Sequence, residues 1–324
     1  MERRYIMITD FKNPLFIDSG AHGLYNEYMV RKEFKAGYSF YETPAFLQYI
    51  DEYAAFIKQN KSKIDVFANV DVIFNPMLTW KAQSYLEKTH NITPLPVIHY
   101  GTDLKWLKRY LAKGYDYIAL GGLGQDATMA MYKNWADQAF DIICDQPSRL
   151  PKVKVHGFAV TSFGLMSRYP WYSVDSTSWL KYAAYGMIIL PVFHKGKWDY
   201  TKPFYMIKVT ARQSQSTILS INGKRKVLIK DVEKYITEKG FQLGESNFKK
   251  VKKGYVLKEN ESWAGNQTRK TKTTLVEEII TPGLCNSDRQ RAILNALYYL
   301  DLVNELPEWP WPFLKHAQKK LELL

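Results

Sequence analysis

Cysteine is scarce in this sequence, with only Cys144 and Cys285 among 324 residues. Two cysteines so far apart exclude a disulfide-rich scaffold and a zinc site built from four cysteines. Long apolar stretches are also missing, since no run reaches the roughly 18 residues that indicate a transmembrane helix. Residues 1–6 lack the apolar core of a signal peptide. We therefore predict a cytoplasmic protein with no membrane span and no secretion.

Acidic residues are outnumbered: 45 Lys and Arg face 32 Asp and Glu, which gives a net charge of +13. Most of the excess lies in residues 208–272, with 16 basic against 6 acidic residues. Clustered basic residues favour a polyanionic partner through counterion release, although a solvated lysine-rich surface has the same composition. The residues that we assign to nucleic-acid binding are Lys224, Arg225, Lys226, Lys249, Lys250, Lys252 and Lys253.

Short apolar runs alternate with helix-like segments over the first 200 residues. The runs lie at 15–17, 66–70, 95–98, 117–120, 153–155, 172–174 and 186–190. The clearest helix begins at Thr43 and Pro44, an N-cap residue followed by a proline at the first helical position. Others are predicted at 103–111 and 126–143. This alternation predicts an α/β fold, either a (β/α)8 TIM-like barrel or a doubly wound sheet. The nucleotide-binding glycine motifs GxGxxG and GxxxxGK[ST] are missing, which favours the barrel.

The pattern changes after residue 205. We predict three parts: the main barrel in 1–205, a basic α+β insertion in 206–275, and a C-terminal helix completing the barrel in 276–324. Inside the insertion, strands are predicted at 227–229 and 255–257, with a helix at 231–239. A capping box at 287–290 opens the last helix. Its predicted apolar face contains Ile293, Leu294, Leu297, Leu300 and Val303.

Three aspartates follow apolar runs: Asp18, Asp71 and Asp175. A carboxylate at the end of a buried strand is costly without a partner. In a barrel, the carboxyl ends of the strands converge on one catalytic face. Each aspartate alone is equally explained as a helix N-cap, but three at equivalent positions predict a site.

The order of these motifs resembles the guanine transglycosylase family, the base-exchange enzymes related to queuine tRNA-ribosyltransferase. The nearest likeness is to the phage-type members that insert 7-deazaguanines into DNA. The matching segments span residues 15–190: IDSGA at 17–21, ANVD at 68–71, VIHYG at 97–101, ALGGL at 119–123, HGF at 156–158 and YPWYSVDSTSW at 169–179.

The resemblance implies a role for each motif. Asp175 matches the nucleophile that attacks the sugar C1′ and forms a covalent glycosyl intermediate. Asp18 matches the general acid/base at the glycosidic nitrogen, and Asp71 matches the residue that reads the guanine edge. His99 stands where the family commonly has glutamine. The amides of Gly121, Gly122 and Leu123 match those that meet the base carbonyl.

One departure from the family bears on whether the substrate is tRNA or DNA. The tRNA enzymes hold a zinc ion with three cysteines and a histidine after the nucleophile, whereas only Cys285 follows Asp175 here. The resemblance therefore implies no metal or cofactor. It implies duplex DNA with a flipped target base and a 7-deazaguanine of the preQ0/preQ1 type as substrates. A phage-encoded enzyme would act in the host cytoplasm.

Three other functions stay open at this point. The same chemistry could act on tRNA, although the missing zinc ligands make that less favoured. A (β/α)8 glycoside hydrolase would use Asp18 and Asp175 with water as acceptor. A non-catalytic DNA-binding barrel would need only the basic segment.

Overall fold

The computed structural model describes residues 15–30, 37–121, 128–210, 226–252, 254–264 and 273–314. It shows a mixed α/β protein whose chain divides into two compact units. Unit 1 comprises the described residues of Met1–Val160, Arg168–Asp175 and Glu308–Leu324, and unit 2 those of Thr161–Ser167 and Ser176–Pro307. The predicted boundaries at 205 and 275 both lie within unit 2.

Unit 1 contains six short parallel strands. They are β1 (Phe16–Ile17), β2 (Val66–Phe67), β3 (Val97–His99), β4 (Tyr117–Gly121), β5 (Lys154–Gly157) and β6 (Ser173–Val174). β1 pairs with β2, and β3 to β6 form a sheet in chain order. A parallel bridge between Ala68 and Leu95 lies between these two groups. Each strand is thus followed in space by the next strand in sequence. The first six predicted runs are confirmed as strands.

Helices separate these strands. They are α1 (Ala21–Tyr25), α2 (Pro44–Gln59), α3 (Pro76–His90), α4 (Lys105–Ala112) and α5 (Met129–Ile143). α2 begins where the sequence predicts, with Pro44 in its first turn. The Thr43 hydroxyl does not cap the helix but donates to the Phe40 carbonyl at 2.7 Å. Asn75 and Thr128 do cap α3 and α5 by accepting from Leu78 and Met131 amides.

The core of unit 1 forms where the apolar face of α2 meets α3 and the segment after β2. Phe46, Ile50 and Ile57 of α2 pack with Val70 and Leu86, all of them buried. Leu47, next to Phe46 in α2, is 45% exposed.

A late segment of the chain also belongs to unit 1. Phe313 is fully buried and stacks on Tyr169, with Phe140 nearby. Its backbone N–H donates to the Arg149 carbonyl at 2.9 Å. The Trp309 indole donates to the Pro170 carbonyl at 3.2 Å. The segment 309–313 therefore completes the packing of unit 1 around α5.

Unit 2 contains the other α-helices and β-strands of the described residues. They are α6 (Phe163–Met166), α7 (Ser178–Ala184), β7 (Met187–Leu190), β8 (Val192–His194), β9 (Lys197–Asp199), β10 (Tyr205–Lys208), α8 (Lys226–Glu238), β11 (Glu245–Lys252), β12 (Glu261–Trp263), β13 (Thr273–Thr281) and α9 (Asp288–Val303). β7 pairs antiparallel with β10, β8 with β9, and β11–β13–β12 form an antiparallel sheet. The seventh predicted run is confirmed as β7.

Two predicted strands in this unit are wrong. Residues 227–229 lie inside α8, where a helix extends the predicted segment 231–239 toward the N-terminus. Residues 255–257 form no strand, because the chain there turns between β11 and β12. Among the helices of the described residues, none is both long and apolar enough to span a membrane.

The last helix begins as predicted, and its predicted apolar face is only partly buried. Ser287 Oγ accepts from the Gln290 amide at 3.2 Å, which confirms the cap. Leu294 is buried as predicted, whereas Ile293, Leu300 and Val303 are about half exposed or more. Arg291 and Asn295 are also buried, because their side-chain N–H groups donate hydrogen bonds to backbone carbonyls.

Candidate active site

The predicted site residues lie at the carboxyl ends of the strands of unit 1. Asp18 directly follows β1, and Asp71 comes shortly after β2. His99 and Gly121 are the last residues of β3 and β4, and Asp175 directly follows β6. Because these strands are parallel, their carboxyl ends point the same way, and the side chains converge on one edge.

Asp18 is surrounded by negative charge. Protein atoms crowd its carboxyl group even though solvent reaches it. The resulting desolvation raises the pKa of Asp18 above its ordinary value of 3.8, and the charges of Asp71 and Asp175 raise it further. The Ser19 amide, which donates to Asp18 Oδ1 at 2.7 Å, opposes the shift. The three aspartates therefore interact electrostatically, and Asp18 holds a proton more firmly than an ordinary aspartate.

Asp71 is buried and its two oxygens already have partners. His99 Nε2 contacts Asp71 Oδ2, and the Ser19 hydroxyl donates to Oδ1 at 3.5 Å. Ser19 is itself buried, and the Tyr49 hydroxyl donates to its carbonyl. Since each carboxylate oxygen has two lone pairs, Asp71 can still accept hydrogen bonds from a ligand. His99 thus orients Asp71, a contact that the sequence did not reveal.

Gly121 allows His99 to occupy this position. A Cβ atom at residue 121 would lie 2.6 Å from His99 Nδ1 and 3.2 Å from its Cα. Glycine is therefore required here by close approach and not by an unusual backbone angle. Gly122 and Leu123, which were predicted with it, lie outside the described residues.

Asp175 presents a half-exposed carboxylate held by one of its two oxygens. The Ala159 amide donates to Asp175 Oδ1 at 2.9 Å, and His156 Nε2 lies 3.8 Å from the same oxygen. Ala159 has a left-handed φ of 58°, which is uncommon for alanine and is found at functional sites. The sequence placed His156 in a motif but gave it no role; its position one residue before the end of β5 was the available signal.

An exposed aromatic side chain lies beside the buried pair. Phe74 is 47% exposed and has a left-handed φ of 62°. Its ring centre lies 6.5 Å from that of His99, and its edge contacts Tyr25. An exposed ring next to Asp71 and His99 provides a flat apolar surface. The sequence missed Phe74 because a single phenylalanine after a strand is usually part of the core.

The aromatic residues before Asp175 differ in environment. Tyr169 and Trp171 are buried against Phe140 and belong to the core. Tyr172 is 45% exposed and lies under the Lys154 ammonium group. Only Tyr172 of this group is open to a ligand.

Three of the predicted basic residues, Lys249, Lys250 and Lys252, lie in β11 of unit 2 and divide between the two faces of its sheet. Lys249 donates to Glu261 Oε1 at 2.6 Å, whereas Lys250 and Lys252 are exposed. Side chains alternate along β11, so Lys250 and Lys252 occupy the face opposite to Lys249. Lys226 begins α8, and its side chain is not described. Lys224, Arg225 and Lys253 lie outside the described residues.

No group of three or more His, Cys, Asp or Glu side chains in the described ranges is arranged to hold a metal ion. The site instead combines two carboxyl groups in different environments: Asp18, whose pKa is raised, and the half-exposed Asp175. This pair suits proton transfer to a leaving group together with attack on a carbon centre.

No family model matches the chain, and no curated protein or solved structure matches it either.

Proposed function

We propose that the protein is a DNA guanine transglycosylase, which exchanges guanine for a 7-deazaguanine such as preQ0 or preQ1. The observation that carries the proposal is the convergence of Asp18, Asp71 and Asp175 at the ends of parallel strands. The parallel strand order of unit 1 is what a (β/α)8 barrel begins with, and we include that fold in the proposal.

In the proposed first half-reaction, Asp175 Oδ2 forms a bond to C1′ of the target nucleotide. The bond from C1′ to the base nitrogen breaks, and its electron pair goes to the departing guanine. Asp18 gives that nitrogen a proton, which its raised pKa supports. The product is a glycosyl ester on Asp175.

In the second half-reaction, the incoming 7-deazaguanine gives its proton to Asp18 and attacks C1′. The ester bond breaks, and its electrons return to Asp175 as a carboxylate. Asp71 would accept hydrogen bonds from the N1–H and exocyclic amine of either base. Because Asp71 is buried and held by His99 and Ser19, its orientation is fixed before a base arrives.

DNA is the proposed polymer because the zinc ligands of the tRNA enzymes are missing after Asp175. The exposed Lys250 and Lys252 give unit 2 a basic sheet face that suits a phosphate backbone. Its target base has to leave the stack before C1′ can be attacked. We propose the cytoplasm as the site of action, and the host cytoplasm for a phage-encoded enzyme.

The test incubates the protein with labelled guanine or preQ0 and with either duplex DNA or tRNA. We expect label in DNA, and we expect Asp175→Asn to abolish incorporation while DNA binding is retained. Asp116→Asn is the matched control, because Asp116 is exposed and precedes β4, at the opposite end of the strands. Label in tRNA alone would show an RNA enzyme, and release of base without incorporation would show a hydrolase.

A further inference from the structure

His156 is a buried histidine with one nitrogen unused. Only 2% of the residue is exposed. Its Nδ1 lies 2.6 Å from Ser173 Oγ, whereas its Nε2 has no hydrogen-bond partner among the described residues. Buried polar nitrogens in folded proteins nearly always have a partner, so the environment of this nitrogen calls for an explanation.

A chain of hydroxyl groups contacts one nitrogen of His156. The Tyr117 hydroxyl lies 2.6 Å from Ser173 Oγ, which lies 2.6 Å from His156 Nδ1. The other nitrogen, Nε2, faces the Asp175 carboxylate. In the tautomer with its hydrogen on Nε2, Nδ1 accepts from Ser173, and Ser173 can accept from Tyr117. In that tautomer an N–H points toward Asp175.

The imidazole ring cannot easily turn away from this direction. The Phe16 ring stacks on it with centres 4.4 Å apart. The Phe158 ring meets it edge-on at 4.5 Å. Two aromatic rings that also contact each other, one against its face and one edge-on, therefore restrict the imidazole, as a positioning group requires.

We propose that His156 is a positioning residue for the nucleophile Asp175, with its Nε2–H donating to Oδ1 once the substrate is bound. This inference rests on the proposed transglycosylase function. The 3.8 Å separation exceeds a hydrogen bond, and such contacts often shorten only in the loaded enzyme. The Ala159 amide already occupies the same oxygen. Both donors thus act on Oδ1 and leave Oδ2 to bond with C1′.

This arrangement has a specific kinetic consequence. Hydrogen bonds to Oδ1 stabilise the free carboxylate more than the ester, because the carboxylate carries the negative charge. They therefore make Asp175 a better leaving group when the incoming base attacks. His156 keeps its proton throughout, so it changes the rate of ester breakdown and not the balance of atoms.

The first test compares formation and breakdown of the covalent enzyme–DNA adduct in His156→Phe. Phenylalanine keeps the ring that packs on Phe16 but removes both nitrogens. We expect base exchange to fall about tenfold or more. The fraction of enzyme trapped as a denaturation-resistant DNA adduct should rise, whereas a merely misfolded variant would lower both quantities.

Variants of the hydroxyl chain keep the test informative if His156→Phe fails to fold. Ser173→Ala should show a smaller change in the same direction, and Ser173→Thr should restore the wild-type ratio. His90→Gln is the control, since His90 pairs with Asp51 at the end of α3. An unchanged ratio of exchange to adduct in Ser173→Ala and His156→Phe would overturn the inference.

A second readout does not depend on exchange. In ¹⁵N-labelled protein, we expect His156 to carry its proton on Nε2 and its Nε2 resonance to shift in Asp175→Asn. If the wild type exchanges no base but this shift is seen, the proposed function fails and the His156–Asp175 pairing stands. A proton on Nδ1, or a resonance indifferent to Asp175→Asn, would contradict the pairing.

Discussion

Asp18 is the residue whose protonation the structure alters most clearly within the site. Its folded-state pKa lies above the unfolded value, so the folded protein binds this proton more tightly. Stability from this group is present below pH 3.8 and is lost as the pH rises through the raised pKa. At neutral pH the charged carboxylate opposes folding, because the folded protein desolvates it and because Asp71 and Asp175 repel it.

We therefore predict that Asp18→Asn raises the melting temperature at neutral pH, by about 1–3 °C. The gain should disappear below pH 3.8, where the wild-type side chain is protonated. Calorimetry at the two pH values measures this difference. A variant that is less stable than the wild type at neutral pH would contradict the electrostatic account of the site.

Gly121 provides a steric test of the same site. Gly121→Ala places a methyl group 2.6 Å from His99 Nδ1, so the histidine or its backbone has to move. We expect a loss of about 1–3 kcal/mol in the free energy of unfolding, measured by chemical denaturation.

Gly23→Ala is the control for Gly121→Ala. No atom lies within 4 Å of a Cβ built at Gly23, and its backbone lies in α1. Alanine should be neutral there or stabilise by up to about 1 kcal/mol. Equal losses in the two variants would show that His99 does not depend on close approach.

The sequence correctly predicted that the aspartates follow strands, but it did not predict which side chains contact them. Asp18 and Asp175 directly follow strands that apolar runs and turn residues reveal. The contact of His99 with Asp71 and the unpaired nitrogen of His156 depend on side-chain directions across neighbouring strands. A linear pattern carries no information about those directions.

The N-terminus of α9 is set by a local sequence signal, the capping residue Ser287. Ser287 accepts from the Gln290 amide. We predict that Ser287→Ala lowers the free energy of unfolding by about 1 kcal/mol, because an amide in the first turn loses its partner. Ser162→Ala is the control, since Ser162 precedes α6 without a side-chain cap. Denaturant titration of both variants should separate them, and equal losses would contradict the role of the cap.

Local patterns predicted elements well where periodicity and end signals agreed. The six strands of unit 1 and the start of α2 and α9 are such cases. The strand predicted at 227–229 was wrong because three consecutive apolar residues fit a strand or a helix equally. The apolar face predicted for α9 was wrong in part, since Leu294 is buried but Ile293, Leu300 and Val303 are exposed. Arg291 and Asn295 are buried through hydrogen bonds to distant carbonyls that the helix pattern does not contain.

The charge distribution makes a prediction for the whole molecule. Lys250 and Lys252 are exposed on one sheet face, whereas Lys249 is paired with Glu261 on the other. The double variant Lys250→Gln/Lys252→Gln should reduce the slope of log K against log salt for duplex DNA by about 1.8. Lys249→Gln should leave the slope nearly unchanged. An equal effect from Lys249→Gln would show that the alternation of side chains does not determine the contact surface.

The overall arrangement was less predictable than its parts. Parallel strands in chain order follow from alternating runs and helices in unit 1. The two compact units divide the chain at places where composition does not change, because compactness depends on contacts between residues far apart in sequence. The antiparallel pairing of β7 with β10 is another such contact.

The late segment that packs against α5 has a consequence for the order of synthesis. Phe313 and Trp309 bind to residues made much earlier, Arg149 and Pro170. The packing of unit 1 around Phe140 is therefore completed only after all of unit 2 has been translated.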